Sequence, residues 1–186
     1  MQAVDRNSRN VDSSVKSTTS VASSAGEKMV ILSIGQQRYA IPLAAVQEVL
    51  PLSVLSRPPR MPLILDGFLH LGETAVAVVN LPRLFNLPDA PTALYTPILL
   101  LRGSPPPIAL KVDRVLGVVW VSDDAKMRLD DRDGCNGCLQ GVAIIDDRVV
   151  IILSPQQILL SQETERLADL LADEQRRIDA LQEAAS

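Results

Sequence analysis

Four groups of side chains have types and spacings that could support chemistry, and each has a plainer role beside it. Cys135-Asn136-Gly137-Cys138 is a C-x-x-C. A structural zinc site wants four ligands, and these are the chain's two cysteines. The single histidine, His70, falls in a different hairpin pattern. A redox pair wants a helix N-terminus to lower its thiol pKa, whereas this pair lies in an acidic, glycine-containing loop that tends to raise it. Two loop thiols, open to a reversible disulfide under oxidation, are expected. Ser13-x-x-Lys16 matches a hydrolase motif by letters only, because nothing around it can build a pocket. Asp113 stands between two apolar runs, where a carboxylate caps or hydrogen-bonds a turn. Its functional alternative is support of a groove wall at Val112 and Val115. Val46, Glu48 and Val49 set two branched side chains beside one carboxylate, which suits a groove for an amphipathic helix. The alternative is two core valines and a solvated glutamate. None of these sets assembles an acid, a base and a nucleophile, and no phosphate-cradling glycine loop occurs. No enzymatic activity, cofactor or metal is therefore expected.

The elements that position these residues follow from composition and period. Of 186 residues, 47% are hydrophobic but only 3% aromatic, so the core must be built from Val, Ile and Leu. The net charge is −4, and Tyr39, Phe68, Phe85, Tyr95 and Trp120 are scattered. That disfavours nucleic-acid binding and leaves a small-barrel ligand or oligonucleotide binder as a remote alternative. Apolar runs are strand-length, too short for membrane insertion, and the N-terminus has no apolar signal region, so a cytoplasmic location is the default.

Residues 1–28 read as a disordered Ser/Thr-rich leader. From Met29 the pattern becomes short apolar runs punctuated by Gly, Pro and Asp. Met29–Ile34 and Arg38–Ile41 flank a glycine turn, and Leu43–Leu50 suits a helical turn leading into a strand. Gly67–Leu71 and Thr74–Asn80 form a second hairpin, and Ala75–Val79, apolar throughout, predicts a strand covered on both faces. Leu81–Phe85 reads as one helical turn. Ile98–Leu101, Ile108–Val112, Val115–Val121, Leu139–Ile145 and Val149–Leu153 continue the series, with Ser122–Cys138 as a long acidic loop. About nine or ten short strands at this spacing predict a sandwich or barrel. After Ser154 the period turns helical, with Ser154 as cap and Pro155 at the first position. Leu160, Thr164, Leu167, Leu171, Glu174, Ile178 and Leu181 fall at a heptad spacing. Residues 161–186 carry seven acidic and three basic groups, an acidic amphipathic helix. It is expected to dock near Leu159–Leu167 and to be solvated beyond; self-association through it is the alternative.

Five segments together resemble one family. Ile34-Gly35-Gln36-Gln37-Arg38-Tyr39-Ala40-Ile41-Pro42-Leu43-Ala44-Ala45-Val46-Gln47-Glu48-Val49 resembles the opening of CheW-like proteins. Pro62 followed by Gly67-Phe68-Leu69-His70-Leu71, then Val76–Leu81, are similar to its next hairpin. Lys111–Val118 resembles its Val-Asp-x-Val-x-Gly-Val segment, and Leu139-Gln140-Gly141-Val142 with Val149–Leu153 its closing hairpin. The likeness spans residues 29–160 in order. It implies an all-β fold of two small five-stranded SH3-like barrels on a shared hydrophobic core, followed by a C-terminal helix. It also implies a non-catalytic adaptor between a chemoreceptor's cytoplasmic tip helix and a histidine kinase regulatory domain, at membrane-associated receptor arrays. By the resemblance, Leu43, Val46, Glu48 and Val49 are partner-binding positions. Gly67, Gly72, Val112, Asp113 and Val115 are the others. One departure matters. Where the family continues Leu71 with Arg-Gly, this chain has Gly72-Glu73, and the missing arginine is a partner-contacting position. Asn80 and Ala77 also replace the family's aspartate and proline. These changes suggest a divergent member, serving ordinary chemotaxis or a non-flagellar system for surface motility or gene expression with altered coupling.

Overall fold

The computed structural model describes residues 25–59, 61–88, 93, 95–128, 137–159 and 161–185. Residues 1–24, including Ser13 and Lys16, and residues 129–136, including Cys135, lie outside the described residues.

Period-two apolar runs become strands. β1 (Gly26–Ile34) and β2 (Gln37–Pro42) form the first hairpin. A 3-10 turn at Leu43–Ala45 leads into β3 (Val46–Pro51). β4 (Leu65–Leu71) and β5 (Thr74–Asn80) form the second hairpin. The single turn α1 (Leu81–Leu84) follows, capped by the Asn80 side chain, which accepts from the Arg83 N–H. Then come β6 (Pro97–Leu101), β7 (Ile108–Lys111) and β8 (Arg114–Ser122). β9 (Lys126–Arg128), β10 (Leu139–Ile145) and β11 (Arg148–Leu153) complete the strands, and α2 (Ser161–Ala185) ends the chain.

The strands make two sheets, ordered β8-β1-β2-β11-β10-β9 and β3-β6-β7-β5-β4. The chain starts in the first, crosses to the second for β3–β7, and returns; we call them the terminal and central barrels. In each, the two edge strands are neighbours in sequence, which curls the sheet on itself. In the central barrel the β3–β4 connector adds a bridge between Ser56 and Phe68. In the terminal barrel Lys126 Nζ ties β9 back to Glu27 on β1 at 2.8 Å. The fold is the expected all-β pair of SH3-like barrels with a C-terminal helix. The terminal barrel, however, has six strands rather than five. Its extra strand, Lys-Met-Arg, has no apolar alternation and falls within the Ser122–Cys138 stretch expected as loop; it forms because β10 offers a free edge.

Alternation decides where the cores sit. Val30, Leu32 and Ile34 of β1 face one side and Met29 and Ile31 the other, and all five are buried. The first set joins Ala75, Ala77 and Val79 of β5 in a core shared by both barrels. Met29 and Ile31 fill the terminal barrel with Ala40, Val150 and Ile152, while Val76 and Val78 fill the central barrel with Ile98 and Leu100. Strand β5 is thus covered on both faces, as its unbroken apolar run predicts.

The C-terminal helix departs from expectation. Pro155–Gln157 is a 3-10 turn without a side-chain cap, and Ser154 Oγ bonds Gln156 instead. Helix α2 docks well beyond Leu167: Leu171 and Ile178 are also buried in the shared core. Glu174, which looks like a break in the apolar stripe, is itself only 3% exposed.

Candidate functional site

Four of the residues picked from sequence meet in one apolar cluster. Val46 and Val112 are buried in the shared core, and Leu43 and Val115 pack against it from its margin. Val46 is therefore a core valine. A bulge between Val46 and Glu48 then turns β3, so Glu48 and Val49 face outward and Val49 is 45% exposed. Val46 and Val49 do not line one groove wall. Asp113 performs the turn role: its Oδ2 accepts the Gly35 N–H at 2.6 Å, tying the β7–β8 link to the β1–β2 turn. Gly67 and Gly72 lie apart, on β4 and in its turn. A Cβ on Gly67 would stand 2.6 Å from the Ser56 carbonyl oxygen, and its φ is +148°, so the bridge to the connector requires glycine. Gly72 has open space and a φ of +59°, which a turn of this kind demands.

Outward-facing apolar side chains mark the surface. Leu116, Val118 and Trp120 on the edge strand β8 are all exposed, as are Ile144 and Val149 on the β10–β11 hairpin. Among the described residues no acidic, histidine and cysteine groups cluster as metal ligands. Cys138 is a buried thiol.

Sequence reasoning missed two polar clusters inside the fold. Asp66 on β4 is 3% exposed, with Lys111 Nζ at 2.7 Å and Arg83 Nη1 at 3.0 Å. The Asn80 side-chain amide donates to Asp66 as well. An Asp inside an apolar strand, a Lys ending another and an Asn ending a third were its only signals. The second cluster joins α2 to the β4–β5 hairpin. Glu174 Oε1 lies 3.1 Å from His70 Nε2, and Arg177 contacts its other oxygen at 2.9 Å. Burial pushes the Glu174 carboxyl up, but hydrogen bonds from Ser56 and His70 and the Arg177 charge outweigh it and hold it below the usual range. Beside it, Gln175 accepts from the Ala75 N–H and donates to the Glu73 carbonyl. The helix thus grips the turn that carries the Gly72-Glu73 departure.

Two barrels on one shared core, reached by a chain that leaves the first barrel and returns to it, define a double SH3-like barrel domain. Residues 28–163 match the model of the CheW-like domain, and the chain belongs to that family. The crystal structure of the scaffolding protein TtCheW from Thermoanaerobacter tengcongensis superposes with a TM-score of 0.66 at 19% identity, covering 74% of this chain and 90% of that one. No curated protein matches the chain. The matched segment ends near the start of α2, so most of the helix lies beyond the family domain. Among the described residues no helix is long and apolar enough to cross a membrane.

Proposed function

We propose that this chain is a non-catalytic signalling adaptor that links a methyl-accepting chemoreceptor to a histidine kinase in a chemotaxis or chemotaxis-like phosphorelay. The family match across both barrels carries this reading. It works through surfaces alone: the receptor's tip helix and the kinase's regulatory domain dock on outward strands, in the cytoplasm beside membrane-bound arrays. Glu48 and Val49 on β3, with Gly72 in the β4–β5 turn, are the expected partner positions that are exposed. The test is retention of partners from native cytoplasm on the immobilised full-length chain. An identified histidine kinase or chemoreceptor, lost with Glu48→Lys, supports the reading. Retention of neither, under conditions that preserve receptor arrays, overturns it.

A second reading has its own observation. The β4–β5 turn lacks the family's arginine and is held by Gln175 of α2. This favours an adaptor with altered coupling, serving surface motility or gene expression, whose partner does not grip this turn. Self-association through the heptad stripe of α2 would first have to release Leu167, Leu171 and Ile178 from the core.

A further inference from the structure

Although the chain is acidic overall, one cleft gathers three arginines. It has a volume of about 730 Å3 and is lined by Arg38, Arg114 and Arg148, with Lys111, Asp113 and Leu116 among its other walls. Strand register explains the convergence. Ser33 on β1 is paired with Arg38 on one side and with Arg114 on the other. Directly opposed residues point to the same face, so the two arginines flank a small serine, about 10 Å apart across two strand spacings. On β11, Val150 is paired with Arg38, and Arg148 lies two residues away on the same face. That face is the inner face of the terminal barrel, so the arginines stand at its mouth.

Three like charges gathered around one cleft repel one another unless something neutralises them. Elsewhere Arg83, Lys111, Lys126, Arg176 and Arg177 have carboxylate partners. Among the described residues none is paired with Arg38, Arg114 or Arg148. Asp113 reaches the cleft, but its Oδ2 accepts from the Gly35 N–H. Asp146 and Asp147 precede Arg148 yet do not line the cleft.

We propose that this cleft docks an acidic segment of a partner protein, its carboxylates on the three guanidiniums and one apolar side chain against Leu116. Guanidinium pairs well with carboxylate and with phosphate. The spacing decides between them. Cations spread across three strands fit charges strung along a chain, whereas compact phosphates are usually cradled by convergent backbone N–H groups. Here the Gly35 N–H is already taken by the Asp113 carboxylate. The proposal stands apart from the receptor–kinase reading, since it rests on this cleft alone.

The experiment is fluorescence anisotropy of the full-length chain at low salt. Its probe is a labelled synthetic peptide of glutamates and aspartates around one leucine; the control peptide carries glutamine and asparagine instead. Binding of the acidic peptide only is expected, weakening as salt rises. The Arg38→Glu/Arg148→Glu variant should lose about tenfold or more in affinity, while Arg176→Glu on α2 changes it little. Should the reversals fail to fold, Arg38→Gln/Arg148→Gln gives the same reading. Equal binding of both peptides, no binding of either, or undiminished affinity in a folded double variant would overturn the proposal. Displacement of the peptide by a far lower concentration of tripolyphosphate would also overturn it, in favour of a compact phosphate ligand.

Discussion

Asp66 shows what a single buried charge does here. It pairs with Lys111, itself nearly buried, and with Arg83, and so joins β4, β7 and α1. Removing one member of a buried pair leaves the other desolvated and uncompensated. Asp66→Ala should therefore cost about 3–5 kcal/mol in denaturant unfolding; Lys111→Met with Asp66→Leu should recover most of it, because both charges are then gone. Glu174 makes a second residue-scale case. Its folded pKa is depressed, so its contribution to stability is complete above the unfolded-state value and is lost as pH falls through the folded one. Unfolding free energy should drop in the acid range below the ordinary carboxylate pKa, and Glu174→Gln should flatten that drop while His70 and Arg177 remain. An unchanged acid limb in the variant would contradict this assignment. The heptad spacing around Glu174 identified the face but not the burial. Its partners His70 and Ser56 lie more than a hundred residues away, and a helical wheel shows only the helix.

At the scale of elements, α2 is part of the core rather than an appendage. Leu167, Leu171 and Ile178 are buried among residues of both barrels. Truncating a buried leucine removes its transfer energy and leaves a cavity, so Leu171→Ala should cost about 2–5 kcal/mol. Helicity and the barrels should be lost together in that variant. Loss of helical signal at lower denaturant, with the strands intact, would show that the helix is independently attached. The β4 strand depends on a different device. Gly67→Ala forces a Cβ into the Ser56 carbonyl and a backbone angle that L residues rarely adopt. It should cost about 2–4 kcal/mol, against about 1 for Gly72→Ala, where only the angle is unfavourable. Equal costs would remove the close approach from the account.

For the whole molecule, the shared core decides cooperativity. Val30 and Ile41 of the terminal barrel meet Ala77, Leu99 and Leu110 of the central one in a single cluster. Neither barrel can open without exposing the other's face of that cluster. Hydrogen exchange should therefore give the slowest amides of β7 and β11 the same opening free energy, and Leu110→Ala should lower both. A variant that lowers β7 alone would mean that the barrels unfold separately.

The sequence by itself determined the hairpins, the doubly covered β5 and the all-β class, because these are written in local period and in turn residues; the family was legible through the likeness of five segments in order. The tertiary structure alone decided β9, the Asp66 cluster, the burial of Glu174 and the gathering of arginines from β8, β2 and β11. Each of these depends on which distant strands become neighbours. A period of two tells a strand which face is inward, but it does not name the residue that will stand opposite. That choice is made when the chain leaves one barrel, builds the second, and returns to pair β8 and β11 with the strands it began with.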